Sequence, residues 1–360
     1  MLTPMEKIPV AIIGLGRIAS LLEDDRLREK PCTHAGAIAA NPDCRLAAGA
    51  DTNEERRRLF SERWQVPVYA DAETMLREQR PAILHIATHP DSHLRYCELA
   101  AAAGVPVVVC EKPLADSLRS ARKIAALQKS GKIRIITNHE RRYQADYIEA
   151  EKILRDEQLG SLLSVKATLY MGKTQRLVDV FWHDGTHLID ALMFLTGSVL
   201  RHKKRWGANL SSRAGTAWLS GYLEPRSGAL SGTPSAAAAD RTAIPFIIEL
   251  GAGRDHLVFE LEFSCAQGRL RIGNGLFEVW ESGPSPYAEN FRSLKKTREG
   301  FALHTGYFAN MIRDAAACAK DPARQPRSGA ADGLRVIEYL HRVGRGIMVT
   351  GEQGKNNEML

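Results

Sequence analysis

At 360 residues with a formal net charge of +7, the chain is too long for one ordinary domain and only mildly basic. Its 44% apolar and 25% charged residues are those of a globular protein, and no apolar run reaches membrane-spanning length; fibrous, disordered and membrane-spanning classes are excluded. The basic runs at Arg56–Arg58, Arg201–Arg205 and Lys295–Lys296 come without a nucleic-acid reading module, and the six cysteines are scattered with no Cys-x-x-Cys pair, so neither a nucleic-acid partner, a disulfide framework nor a zinc cluster is expected.

The start, Met1 to Lys7, carries no signal peptide, because the first apolar run leads straight into a Gly-rich loop; the expected location is cytoplasmic. From there to about residue 138, apolar runs alternate with amphipathic stretches. Pro9–Ile13, Cys44–Ala50, Ile83–Ala87, Val107–Cys110 and Ile133–Thr137 read as buried strands. His34–Ala40, Glu54–Trp64, Ala72–Glu78, Ser92–Ala103 and Leu118–Ser130 read as helices. This rhythm predicts an α/β protein whose residues 1–140 form a doubly wound parallel sheet of the Rossmann, dinucleotide-binding kind.

After Tyr143 the rhythm changes. A helix at Ala145–Glu157 precedes strands at Leu162–Tyr170, Thr216–Leu223, Phe246–Leu250, His256–Phe263, Leu270–Ile272 and Leu276–Trp280. Several are at hairpin spacing, as around Ala266-Gln267-Gly268. A helix at Gly185–Leu195 interrupts them, and Phe301–Ala319 and Asp332–Val343 read as closing helices. The expectation is an α+β domain over 141–346, for substrate binding and oligomerisation, with a large, mostly antiparallel open sheet. Arg226–Ala239 reads as a Ser/Gly/Pro-rich surface loop and 347–360 as a frayed tail.

Two motifs fall at the carboxyl ends of the predicted parallel strands, where open α/β sheets bind ligands. Gly14-x-Gly16-x-x-Ala19, with Arg17 and Ile18 inside it, follows the first strand and is expected to open a helix. Gly14 permits the tight turn, Gly16 lets backbone N–H groups approach a pyrophosphate, and Ala19 allows close packing. Asp51 ends the second strand, where a carboxylate can accept from ribose hydroxyls. It lies farther on than the usual spacing because Glu23–Thr33 reads as an insertion. Asp51 favours NAD, Arg56–Arg58 keep NADP open, and a plain N-cap is the structural alternative. Thr88 to His93, after the third long strand, either lines the nicotinamide half of the cofactor or caps the next helix. The second motif is Cys110-Glu111-Lys112-Pro113, a lysine at a strand end.

Farther on, His183, His187 and Asp190 fall at i, i+4 and i+7, one face of a helix. An imidazole there suits proton transfer near neutral pH. A metal reading lacks a third ligand, and none is expected.

In order along nearly the whole chain, the Gly14–Ala19 loop, Asn41-Pro42, Glu111-Lys112-Pro113, His183-Asp184-Gly185-Thr186-His187-Leu188-Ile189-Asp190 and Ser328-Gly329-Ala330-Ala331-Asp332-Gly333-Leu334 resemble the Gfo/Idh/MocA oxidoreductase family. The resemblance implies hydride transfer at a secondary alcohol of a sugar or cyclitol, and a sheet face that forms a homodimer or homotetramer. It gives Lys112 the reacting oxygen, with a cis bond before Pro113, and His187 the role of general acid/base. His183 stands where the family has Asp, with Asp184 beside it, and counts with Lys112 and His187 as catalytic. Gly14, Gly16, Arg17, Ile18, Asp51, Thr88, His93, Glu111 and Lys112 are the expected cofactor residues; Arg142, Tyr143 and Asp184 the expected substrate residues. Ala145 replaces the family's usual proline. His139 and Glu140 are further candidates for substrate choice. Two other readings stand beside the dehydrogenase: a glycosidase that recycles NAD, and a non-enzymatic NAD(P)-binding regulator.

Overall fold

The computed structural model describes residues 7–173, 175–226, 243–300 and 305–344. The loop expected at Arg226–Ala239 lies, beyond Arg226, outside the described residues, as do the tail and the start of the helix expected from Phe301.

The first half carries β1 (Ile8–Ile13), α1 (His34–Ala40), β2 (Cys44–Ala50), α2 (Glu54–Trp64), β3 (Val68–Tyr69), α3 (Ala72–Gln79), β4 (Ile83–Ile86), α4 (His93–Ala102), β5 (Val107–Cys110), α5 (Leu118–Lys129) and β6 (Arg134–Thr137). The six strands are parallel, in the order β3-β2-β1-β4-β5-β6. Every residue of β4 and β5 is buried, as helices on both faces of a parallel sheet require. Side-chain caps start four of these five helices: Thr33 accepts from Gly36 N, Asn53 from Arg56 N, Asp71 from Thr74 N and Ser117 from Ser120 N.

One expectation fails here. The Gly loop does not open an α-helix; it runs into a turn and a single 3-10 turn, Leu21–Asp24. The segment that follows is tied down by polar contacts instead. Arg63 pairs with Asp24, and Glu29 accepts from Thr305 N, Thr305 Oγ1 and Gly306 N. Regular helix resumes only at His34.

The second half carries α6 (Ala145–Arg155), β7 (Leu162–Tyr170), α7 (Leu177–His183), α8 (Gly185–Thr196), β8 (Ser198–Gly207), β9 (Gly215–Pro225), β10 (Ile244–Ala252), β11 (Val258–Cys265), β12 (Gly268–Gly273), β13 (Leu276–Pro284), β14 (Arg292–Glu299), α9 (Tyr307–Lys320) and α10 (Ala330–Val343). Its strands form one sheet, β14-β13-β12-β11-β7-β10-β9-β8, antiparallel except at β7–β10. The pattern missed β8, β14 and α7. The missed strands are the two sheet edges, and they hold the basic runs Arg201–Arg205 and Lys295–Lys296. Charge on an edge strand deters edge-to-edge pairing and blurs the alternation that marks a strand.

Along β7 and β11 alternate residues are buried: Val165, Ala167 and Leu169, then Phe259, Leu261, Phe263 and Cys265. The opposite face holds Lys166, Thr168, Glu260 and Glu262, with Arg271 paired to Glu260 and Glu278. The final helices return to the first half, α10 against α5 and α9 against α1. Ser328 and Gly329 lie along the end of β6, with Thr137 N donating to Ser328 O at 2.8 Å. A Cβ at Gly333 would meet Thr137 Oγ1 at 2.7 Å and Leu114 Cβ at 2.9 Å, so the absence of a side chain there sets how closely α10 approaches the sheet.

Candidate active site

At the carboxyl end of β1, Gly14 has φ +86°, and a Cβ on it would meet Ala87 O at 2.7 Å. Only glycine fits this crossing between β1 and β4. Leu15 N donates to Asp51 Oδ2 at 2.8 Å, and Asp51 Oδ1 accepts from Asn53 N. The Asp51 carboxylate thus sits at the Gly loop, with Arg56 Nη1 at 3.9 Å. A Cβ at Gly16 would find no atom nearer than Arg56 Nη1, also at 3.9 Å, so the space over Gly16 is open. Arg17 is exposed and Ile18 half-buried. An open glycine beside a strand-end carboxylate fits a dinucleotide: backbone for the phosphates, Asp51 for ribose hydroxyls. With no α-helix behind the loop, less of the phosphate charge is met by a helix N-terminus.

Thr88 follows β4, half-buried, its Oγ1 2.7 Å from Ser92 Oγ. His93 and Glu111 are not where the cofactor expectation put them. The His93 ring is buried and faces Thr88 O at 3.1 Å and Leu114 O at 3.3 Å, bracing one loop against the other. Glu111 points inward, accepting from His34 Nε2 at 2.9 Å, Asn138 Nδ2 at 2.6 Å and Lys112 N at 3.1 Å. Burial pushes its carboxyl up, but His34, Asn138 and Lys112 outweigh burial and hold it at about 2.

Lys112 leaves β5 through a cis bond to Pro113. Its Nζ donates to His183 O at 3.3 Å. His183 does not share a helix with His187: α7 ends at His183 and α8 begins at Gly185. The i, i+4, i+7 face is therefore broken at Asp184. His183 is exposed, with Nδ1 3.1 Å from Asp184 Oδ1. Asp184 Oδ2 and His187 Nδ1 are buried without partners, and His187 N donates to Asp184 O. Burial first, then Lys112, Arg141, His139 and His183, hold the His187 imidazole well below its ordinary value. His187 is thus unprotonated at neutral pH, beside a cationic lysine. The arrangement offers a proton acceptor and a charge stabiliser at one place.

Arg142 and Tyr143 are corrected. Arg142 is 3% exposed and grips Asp190 with two nitrogens, at 2.9 Å from Nε and 2.8 Å from Nη2, while Nη2 lies 3.1 Å from Asp332. It joins α8 to α10, its Nη1 donates to Arg327 O at 3.2 Å, and its burial turns it to these protein partners and away from a substrate. Tyr143 is 2% exposed and donates to Asp314 Oδ2 at 3.0 Å. The motifs that contain Asp190 and Asp332 meet on one arginine, which no spacing announced. His34, His85 and Asn138 were also missed as polar interior residues, because a lone histidine in an apolar run gives no sign of its partner. His139 is buried with both ring nitrogens unpartnered, near Asp190.

Residues 8–139 match the model of an oxidoreductase family with an NAD-binding Rossmann fold, GFO_IDH_MocA. An inositol 2-dehydrogenase from Arthrobacter sp. (strain FB24) is 31% identical over 199 residues, 53% of this chain and 55% of that one. A D-apiose dehydrogenase from Paraburkholderia graminis is 28% identical over 170 residues, 43% of this chain and 44% of that one. The matches thus span about half the length of these relatives. A crystal structure of an oxidoreductase from Agrobacterium radiobacter, in complex with NAD+, L-tartaric acid and magnesium, superposes with TM-score 0.67 at 16% identity, covering 93% of this chain and 95% of that one. At that identity the likeness is one of fold.

Proposed function

We propose that this chain, whose residues 8–139 match the Gfo/Idh/MocA oxidoreductase model, belongs to that family and transfers a hydride between NAD and a secondary alcohol of a sugar, cyclitol or similar polyol. The observation that carries this is Lys112, at the end of β5 in a sheet whose β1 end holds the Gly loop, with its Nζ on His183 O at the α7–α8 junction and its charge among those that keep the nearby His187 unprotonated. In the alcohol-oxidising direction His187 accepts the hydroxyl proton, and the Lys112 ammonium stabilises the charge that grows on the oxygen. Bound NAD supplies the hydride acceptor. Gly14, Gly16, Arg17, Ile18 and Asp51 would hold it, with Thr88 toward the reacting end. His183 and Asp184 face the same place and would contact substrate hydroxyls.

The test is NADH formation with inositols, pentoses, hexoses, amino sugars and nucleotide sugars. Lys112→Met is expected to leave NADH binding nearly intact and to cut turnover about a hundredfold or more, the scale of losing one charge-stabilising donor. Near-wild-type turnover in that variant sinks the assignment. Release of an aglycone without net NADH would favour the glycosidase reading, and absence of any turnover the regulatory one.

The assembly we propose is a homodimer or homotetramer through the uncovered face of the eight-stranded sheet. That face is not a plain apolar patch. It mixes ion pairs with stacked Trp206 and Trp218, the aromatic-and-arginine composition of many interfaces. A monomer by light scattering at micromolar concentration would contradict it. Among the described residues no helix is long and apolar enough to cross a membrane, and we place the protein in the cytoplasm.

A further inference from the structure

We propose that His34 is a positioning residue that couples the cofactor loop to Lys112, with His85 fixing the orientation of its ring. The inference goes beyond the hydride-transfer reading and takes from it only the importance of Lys112. His34 is the first residue of α1 and fully buried. Its backbone N–H donates to Ile18 O at 3.1 Å, and the next N–H, of Ala35, to Ala19 O at 2.9 Å. Both acceptors belong to the Gly14–Ala19 loop. Its side chain reaches the other way, Nε2 to Glu111 Oε1 at 2.9 Å, and Glu111 Oε2 accepts the backbone N–H of Lys112 at 3.1 Å. One residue therefore stands between the loop that cradles phosphates and the peptide unit that carries the lysine.

The ring has little freedom. An ionised carboxylate only accepts, so Nε2 of His34 is the donor. On the far side His34 Nδ1 lies 2.8 Å from His85 Nδ1, a separation that demands one shared proton. Whichever ring owns that proton, His85 Nε2 is left buried without a partner. That costs stability, and a leucine at 85 would serve the apolar interior better. What His85 supplies is direction: with Phe308 edge-on at 5.2 Å, it leaves the His34 ring one orientation. Glu111 is held from the opposite side by Asn138 and by its own N–H on Ile86 O. A displacement of Ile18 or Ala19 on cofactor binding is thus passed to Lys112 through hydrogen bonds.

The test is amide hydrogen exchange on the full chain, with and without NADH. In wild type, NADH is expected to slow exchange both in the Gly loop and at the Lys112 amide. In His34→Leu, NADH still protects the loop, but its effect at Lys112 is lost. The Lys112 amide then exchanges about tenfold faster, the scale of a hydrogen bond to a charged group, while β1 and β4 stay as in wild type. His34→Gln, which keeps a donor near the Nε2 position, restores at least half of the protection. A purely structural role would raise exchange throughout the sheet in parallel, and that result overturns the proposal. Equal NADH protection at Lys112 in wild type and His34→Leu also overturns it. Should His34→Leu fail to fold, His85→Leu decides: it leaves Glu111 its donor, and unchanged NADH protection at Lys112 there rejects the relay. Turnover is read separately, so a wild type that oxidises no polyol counts against the hydride-transfer reading alone.

Discussion

His187 carries the sharpest consequence at the scale of single residues. Its imidazole lies well below the ordinary value of 6.5, from burial first and the charge of Lys112 second. In the proposed reaction the neutral ring is the competent base, so a lowered pKa extends competence to lower pH. The expected kcat/KM for alcohol oxidation is therefore flat from pH 8 down through 6.5, with its acid limb only below. Lys112→Met removes the largest of the charges acting on His187, and in its residual activity the limb should move toward higher pH. A wild-type limb at or above 6.5 would contradict the assignment. Arg142 shows the opposite lesson: the arginine expected to meet substrate is consumed by Asp190 and Asp332. Truncating it would leave the buried Asp190 without its ion-pair partner and Asp332 with Arg226 and Arg335 alone, which damages folding before it tells anything about substrate.

At the scale of elements, α10 is placed by what its fourth residue lacks. The motif Ser328–Leu334 has a packing role: Ser328 Oγ donates to Thr137 O at 2.7 Å, and Gly333 lets the helix lie against Thr137 and Leu114. Gly333→Val would push α10 off β6 and Asp332 away from Arg142. The expected loss is about 1–3 kcal/mol, the usual cost of overpacking, read from urea unfolding. An unchanged midpoint would mean that α10 is not held by this contact. The α7–α8 pair matters in another way. Breaking the helix at Asp184 frees His183 O to accept from Lys112 Nζ and from Thr186 Oγ1. An unbroken helix would have spent that carbonyl on its own ladder.

For the whole molecule, buried histidines set the acid limit of stability. His85, His93, His139 and His187 are all pushed down by burial. In the unfolded chain each takes a proton near 6.5; in the folded protein they do not. The unfolded state thus binds more protons below 6.5, and stability falls as pH drops through that value. Glu111 and Asp332, both at about 2 when folded, keep their contribution above the ordinary carboxylate range and lose it only as pH falls toward 2. The urea midpoint is expected to hold between pH 7 and 8, to drop between about 6.5 and 5 as the imidazoles charge, and to drop again in stronger acid. A midpoint constant down to pH 5 would mean these imidazoles are solvated in the folded state.

The amino-acid sequence by itself determined the order of five of the six strands and of the helices from α1 onward in the first half, the Gly loop with Asp51, and the lysine at the end of β5; the two-residue β3 and the absence of a helix behind the Gly loop were not legible. Each legible feature is local: buried parallel strands are uninterrupted apolar runs, and a tight loop needs glycine wherever it lies. Hairpin spacing made the central strands of the second sheet legible for the same reason. The tertiary structure alone decided which way Glu111, His93, Arg142 and Tyr143 face, because a side chain at a strand end or in a tight turn can serve solvent or interior, and its partner comes from distant sequence. It alone decided that Asp190 and Asp332 share one arginine, that the edge strands are the basic ones, and that His34 and His85 stand ring to ring. Pairwise contact between residues far apart along the chain has no period for a sequence to display.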